Sequence, residues 1–305
     1  MSQRVAIGTR ASRLAVIQAQ SVLSALSQRY PETRFELVTM TTEGDRRPDI
    51  PLDGMGGSGV FVRRLEQALL ERQIDIAVHS LKDVPVETPT GLVIAAVPER
   101  ADPRDVLVSS HGILAELPTG ARIGTGSQRR AVQLKALRSD LIVSALRGNV
   151  ETRVAKVTSG ELDGVVLAAA GIARLGLEHM VTEYLPLKDF LPPPGQGALG
   201  VEVRSDDAEI AAIVTGVNHR DTCLSVTAER AFLATLGGGC RAPIAALGSV
   251  KGNTIGLKGM VADAEGHAIL RDSMEGDSGR PERLGEALAQ RMLARGAGAL
   301  LAPAV

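Results

Sequence analysis

RIGTGSQRR (122–130) is the stretch on which the reading of this chain turns. Residues 122–125 read as a short strand, Gly-Thr-Gly-Ser at 124–127 as a tight turn, and a helix opens at about 128 with Arg129 and Arg130 in its first turn. Backbone N–H groups at a helix start have no intrahelical partner and favour negative charge, and arginine adds paired donors for a carboxylate or phosphate. Thr125, Ser127, Arg129 and Arg130 are therefore candidate anion ligands. A plain strand–turn–helix junction with solvated arginines would read the same, so the neighbouring segments must decide.

The same arrangement recurs along the chain. A strand at 5–8 leads to Thr9, Arg10 and Ser12, and Ser12 can cap a helix over 13–29 whose apolar positions include Leu14, Ile17 and Leu26. A strand at 35–39 follows, then turn formers over 44–59 predict a loop, and Phe61, Leu65 and Leu69 mark the next helix. A strand at 74–78 leads to Ser80, Lys82 and Asp83. Strands at 141–145 and 163–169 lead to Arg147, Arg153 and Arg174, with a helix over 150–159. Further strands fall at 92–97 and 105–109.

Ligands of open α/β sheets bind outside the carboxyl ends of strands, and six arginines at four such ends are hard to ascribe to scatter. Planar guanidinium forks match carboxylates. No Walker A or GxGxxG pattern favours a nucleotide.

FLPPPGQG (190–197) reads as a stiff linker, and a strand at 199–203 could return to the first sheet. Helices near 207–217 and 222–235, strands at 244–250, 254–262 and 268–275, and a helix at 281–295 suggest a small α+β domain. The expected fold is α/β, with two doubly wound domains, 1–98 with 198–216 and 103–192, and a small C-terminal domain at 220–305.

Composition narrows the function. The chain has 305 residues, 23% of them charged and 44% hydrophobic, which is ordinary for a globular protein. Four Phe, two Tyr and no Trp imply an aliphatic core and argue against nucleic-acid stacking platforms. Thirty-four Lys plus Arg against 35 Asp plus Glu leave a net charge of -1, so any anion site is local. MSQRVAIGTRAS at the N-terminus has no apolar core of a signal peptide, and no stretch is long enough to span a bilayer. Two cysteines offer no disulfide framework, and the five histidines are scattered, so no metal site is expected. Cytoplasm is the expected compartment, with neither nucleic acid nor membrane as partner.

Asp83 has two readings: a turn aspartate, or a carboxylate held among cations that stabilises positive charge or moves a proton. His79 and Ser80 beside it suggest a hydrolase, but no G-x-S-x-G elbow accompanies them. Cys240 ends Gly-Gly-Gly-Cys. Buried packing is the ordinary fate of a free cysteine, whereas three glycines permit an exposed turn and a covalent attachment point. Cys223, on a helix, reads as packing.

TRAS (9–12), DIAVHSLKDVP (75–85), GTGSQRR (124–130), LRGNVETR (146–153), GIARLGL (171–177), GQGALGVE (195–202) and GGGCRAPI (237–244) together resemble the porphobilinogen deaminase family of haem biosynthesis, collinearly over almost the whole chain. The resemblance implies three α/β domains, the first two arranged like a two-domain ligand-binding protein around a cleft. It implies a monomeric transferase, a hydroxymethylbilane synthase, whose dipyrromethane cofactor is joined by a thioether to Cys240. Four porphobilinogen units would be added to that primer with loss of ammonia, and hydroxymethylbilane released. Asp83 matches the catalytic aspartate. Arg10, Ser12, Gln18, Ser80, Lys82, Thr125, Ser127, Arg129, Arg130, Arg147, Arg153, Arg174 and Gln196 fall on cofactor- and substrate-binding positions. Each pyrrole carries an acetate and a propionate, which explains the demand for arginines.

One departure stands out. Gly54 and Ser58 occupy positions where the family usually has loop lysines. Arg46 and Arg47, in the same loop and grouped with Phe61 as lid residues, are expected to replace part of that charge. Two other classes remain open from the residues alone. One is a non-catalytic two-domain anion-binding protein. The other is a cysteine hydrolase, which would need a histidine near Cys240.

Overall fold

The computed structural model describes residues 4–41, 62–237 and 242–302. Arg46, Arg47, Gly54, Ser58, Phe61 and Cys240 lie outside them. The chain divides into two compact units, Met1–Ala101 with Gly197–Cys223 and Asp102–Gln196 with Leu224–Val305.

The chain begins with β1 (Arg4–Arg10), α1 (Arg13–Arg29), β2 (Arg34–Met40), α2 (Arg63–Leu70), β3 (Ile76–Ser80) and β4 (Leu92–Ala96). It then builds a second sheet from β5 (Asp105–Ser109), β6 (Arg122–Thr125), α3 (Gln128–Leu137), β7 (Ile142–Ala145), α4 (Val150–Thr158), β8 (Gly164–Ala168), α5 (Ala169–Arg174) and β9 (Glu183–Tyr184). β10 (Leu199–Arg204) returns to the first sheet, as the strand expected at 199–203 did, and gives it the order β2-β1-β3-β10-β4. β1 runs parallel to β2 and β3, while β10 is antiparallel to β3 and β4.

Both faces of this first sheet are covered, which is why β3 and β10 are buried along nearly their whole length. Val5, Ile7, Ile76 and Val78 pack with Val22 and Leu26 of α1 and with Ile210 and Val214 of α6 (Ala208–Thr215). Ala77 faces the other way, onto Leu65, Ala68 and Leu69 of α2. Each such buried Leu, Ile or Val contributes about 1.5–3 kcal/mol.

β3 corrects one expected boundary. It was placed at 74–78 and starts two residues later. The end of α2 explains the shift: Gln73 N–H bonds the Ala68 carbonyl and Arg72 sits at φ 58. Asp75 enters the sheet by accepting from Ala6 N–H at 2.9 Å. His79 and Ser80 consequently lie inside the strand, on opposite faces.

The second sheet has the order β7-β6-β8-β5-β9. β6 is parallel to β7 and β8, and β5 is antiparallel to β8 and β9. Its cores are Leu107, Ile123, Leu134, Val166 and Phe190 on one side and Val106, Val108, Val154, Val165 and Ile172 on the other. α5 and β9 were not anticipated, being too short to show periodicity.

α7 (Arg220–Leu236) leads to an antiparallel meander, β11 (Ile244–Lys251), β12 (Thr254–Ala262) and β13 (Ile269–Asp277). α8 (Pro281–Ala294) and the short α9 (Ala297–Leu301) follow. The strands and helix expected at 244–250, 254–262, 268–275 and 281–295 are found there within two residues. Among the described residues no helix is long and apolar enough to cross a membrane.

Candidate functional site

In the first unit Arg10, Ser12, Ser80, Lys82 and Asp83 lie at or just beyond strand ends, and Gln18 lies on α1. Ser12 takes the N-cap position of α1, but its side chain makes no capping hydrogen bond, so it sits where a cap was expected without acting as one. Thr9 Oγ1 instead donates to the Ala15 carbonyl at 3.0 Å. Gln18, buried on α1, meets Ser80: its Nε2 and Oε1 lie 2.9 and 3.1 Å from Ser80 Oγ. That pair ties the end of β3 to α1.

Beyond Ser80 the chain makes a single 3₁₀ turn, Leu81–Asp83. Leu81 and Val84 are buried, Leu81 N–H donates to the Ala198 carbonyl at 3.1 Å, and Val84 N–H closes the turn on the Leu81 carbonyl. Asp83 lies between these two apolar anchors and is exposed. The result is an exposed carboxylate on a fixed backbone. A Cβ at Gly200, on the neighbouring strand, would stand 2.9 Å from Leu81 Cδ1, so the glycine lets β10 approach the turn.

His79 points to the opposite face, where its Nε2 lies 2.9 Å from Glu202 Oε2. Ser80 is paired with Gln18 and His79 with Glu202, so no Ser–His pair exists here and the hydrolase reading has no geometric basis.

In the second unit the turn at 124–127 forms as expected. Ser127 caps α3, its Oγ accepting from Arg130 N–H at 3.4 Å, and Ser127 N–H donates to Thr125 Oγ1 at 3.2 Å. A Cβ at Gly126 would stand 2.6 Å from the Leu146 carbonyl oxygen and 3.9 Å from Arg153 Nη2. The turn therefore brings the 146–153 segment against itself, and Arg153 with it. Arg153 Nε donates to the Gly148 carbonyl at 2.8 Å. Arg147 is exposed at the same loop, and Arg174 ends α5, where burial pulls its pKa down.

Arg129 and Arg130 are placed differently from solvated helix-start arginines: they are 2% and 6% exposed. Both bond Asp105 at the start of β5, a carboxylate with no exposure. Arg129 Nη2 donates to Oδ2 at 2.7 Å, and Arg130 Nε and Nη2 donate to Oδ1 at 3.0 and 2.7 Å. Gln196, also buried, adds Nε2 to Oδ1 at 2.9 Å. Arg129 further bonds the Leu191 carbonyl and Arg130 the Val166 carbonyl. The two guanidiniums hold the Asp105 carboxyl far below its usual range despite burial, while burial lowers Arg129 to about 10. Arg129 Nε remains buried without a partner among the described residues.

Asp105 and Glu202 are the residues that the sequence reading passed over. The available signal was a charged residue inside an apolar strand run, which must find a partner when buried. Which partner it finds is not written locally. Asp263, Glu265 and His267 also come together, at the β12–β13 turn. Asp263 accepts there from the N–H groups of His267 and Ala268, which accounts for the grouping as turn closure.

A family model described as porphobilinogen deaminase, dipyromethane cofactor binding domain, matches residues 5–212, and one described as porphobilinogen deaminase, C-terminal domain, matches 223–294. The porphobilinogen deaminase of Geobacter metallireducens is 49% identical over 300 residues, 98% of this chain and 94% of that protein. The porphobilinogen deaminase of Alkaliphilus metalliredigens is 45% identical over 298 residues, 97% of this chain and 94% of that protein. Among solved structures, the periplasmic aliphatic sulphonate binding protein SsuA of Escherichia coli overlaps with a TM-score of 0.40 at 18% identity, over 77% of this chain and 71% of that one, a likeness too slight to build on. By the family models and by relatives matched along nearly its whole length, the chain belongs to the porphobilinogen deaminase family.

Proposed function

We propose that this chain is a transferase that joins four porphobilinogen molecules head to tail on a dipyrromethane primer, releasing ammonia at each addition and then the linear tetrapyrrole hydroxymethylbilane. The observation that carries the reading is Asp83, an exposed carboxylate on a turn held by buried Leu81 and Val84. Departure of ammonia leaves positive charge on porphobilinogen, and a carboxylate fixed beside that carbon stabilises it. The following carbon–carbon bond releases a pyrrole proton, which the same carboxylate can accept. Lys82, Ser80, Gln18, Ser12 and Arg10 belong to the same unit and would hold substrate carboxylates near it.

The second unit suits the acidic cofactor. Two guanidiniums against the one carboxylate of Asp105 leave a net positive charge, and Arg129 Nε is short of an acceptor. Thr125, Ser127, Arg129, Arg130, Arg147, Arg153, Arg174 and Gln196 are the residues that would hold it. When bound, the dipyrromethane supplies the pyrrole carbon that receives the first unit, retained by a thioether to Cys240. The loop residues Arg46, Arg47 and Phe61 would close over substrate. Unchanged turnover and salt dependence in Arg46→Ala/Arg47→Ala would remove that part.

We read three domains, 1–98 with 198–216, 103–192 and 220–305, supported by one sheet falling in each range. We also read a cytoplasmic monomer that binds neither nucleic acid nor membrane; a solution mass above one chain would overturn the monomer.

The test is production of ammonia and hydroxymethylbilane from porphobilinogen, with the intact mass measured beside Cys240→Ala. A dipyrrole adduct on wild type and none on the variant is expected. A bare-chain mass for an active wild type sinks the covalent cofactor.

A further inference from the structure

Glu229, on α7 in the second unit, has no exposure, and the chemistry above does not use it. Each of its two oxygens accepts a backbone N–H from another element: Oε2 from Gly195 at 2.7 Å and Oε1 from Gly248 of β11 at 2.8 Å. β11 is the edge strand of its sheet, and its Ala246 and Gly248 N–H groups bond the Pro192 carbonyl and Glu229. Close packing holds α7 in place here. A Cβ at Gly248 would stand 2.8 Å from the Ser225 carbonyl oxygen, and one at Gly285 of α8 would press on the Ala228 carbonyl oxygen. The Glu229 side chain therefore extends from a fixed helix.

Its target is the turn that ends the proline-rich linker. Gln196 N–H closes this turn on the Pro193 carbonyl at 3.2 Å, with Pro194 and Gly195 at the centre and Gly195 at φ 74, the pattern of a type II turn. The closing bond does not use the Gly195 N–H, and Glu229 accepts it. Gln196 is buried, and its Nε2 donates to Asp105 Oδ1 at 2.9 Å and to the Pro103 carbonyl at 2.8 Å. Asp105 is the counter-ion of Arg129 and Arg130. Bonded contacts thus run from α7 through the linker turn to the arginine pair. α7 ends at Leu236, four residues before Cys240.

We propose that Glu229 is a positioning residue that sets Gln196, and through it the Asp105–Arg129–Arg130 cluster, relative to the helix leading to Cys240. A thioether and a set of guanidiniums that hold one acidic primer must keep a fixed separation. Glu229 joins the elements that carry them. The inference rests on the reading that the second unit holds the dipyrromethane.

The test uses full-length holoenzyme labelled with ¹⁵N-glutamine, as wild type, Glu229→Gln, Gln196→Ala and the double variant. An amide at 229 keeps the shape but offers one acceptor oxygen for two N–H groups. Glu229→Gln should speed hydrogen exchange of the Gln196 side-chain amide by about tenfold. The Gln133 side chain, which holds the linker at Leu191, should keep its exchange rate. Per adduct-bearing chain, kcat should fall by about 10–100-fold with KM unchanged. On the Gln196→Ala background the same change should move kcat by less than about twofold. Losses in kcat that add, or equal exchange gains at Gln133 and Gln196, overturn the proposal. If Glu229→Gln does not fold, Gly195→Ala replaces it in the cycle. Alanine at φ 74 strains the turn while Glu229 stays, and an additive loss there overturns the proposal as well. A wild type that turns over without a dipyrrole adduct defeats the reading of the second unit instead, so the two failures are told apart.

Discussion

The two five-stranded sheets share one plan and spend charge in opposite ways. Each has three parallel strands, then one antiparallel strand, then an edge strand. Each antiparallel strand buries a carboxylate with no exposure, Glu202 on β10 and Asp105 on β5. In the first sheet that carboxylate meets a histidine and lies near a second acid. In the second it meets two arginines and an amide. In the first unit a carboxylate at the end of the neighbouring strand, Asp83, stands exposed. The second arrangement locks cations in place and keeps positive charge. Under the proposed roles, the same topology would serve chemistry at one set of strand ends and anion binding at the other.

The largest effect expected from breaking this contrast is on turnover. Asp83→Asn should lower kcat by about 10²–10⁴-fold and leave the unfolding midpoint unchanged, since Asp83 is exposed and only general acid–base and charge stabilisation are lost. Loss of stability with retained turnover would reverse the assignment. Asp105→Asn should do the converse first, costing about 3–5 kcal/mol in urea unfolding because two buried guanidiniums lose their counter-ion.

The pH dependences of the two units carry opposite signs. Asp105 has a depressed folded pKa, so its stabilisation is present above the ordinary aspartate value of 3.8 and is lost as pH falls below it. Glu66 has a raised one, so its contribution is favourable near 4.5 and lost as pH rises through the folded value. Glu66→Gln should therefore raise the thermal midpoint at neutral and alkaline pH, and the gain should disappear at about the ordinary glutamate pKa. A gain constant across pH would contradict the raised pKa.

Smaller effects separate the two close approaches. Gly126→Ala presses on a backbone oxygen and should cost about 1–3 kcal/mol and weaken substrate binding through Arg153. Gly200→Ala meets the movable ends of Leu81 and Ile94, so it should cost less. Equal costs would mean that the second turn yields as easily as the first.

Legibility in the sequence followed the range of the interaction. Regular elements were legible because apolar periodicity is local, down to the return of β10 and the three C-terminal strands. β3 slipped by two residues because the turn at Arg72 and Gln73, set by packing of α2, consumes residues that look like strand. Ser12 was placed correctly as a cap position, yet its missing hydrogen bond is a matter of side-chain geometry. Arg129 and Arg130 were recognised as an anion-seeking pair, whereas their burial on Asp105 was not, since residues 24 and 25 positions apart meet only in the folded sheet.

By itself, the sequence determined the α/β class, the absence of a global field for polyanions, and the family, through collinear motifs at the strand ends. Those features depend on residue type and short spacing. Tertiary structure decided which charges face each other: that His79 turns from Ser80 to Glu202, that Asp105 takes the two arginines, and that Asp83 is left exposed on its turn. Pairing of buried charges is a long-range matter, because desolvation forces each to find whatever partner the fold brings near.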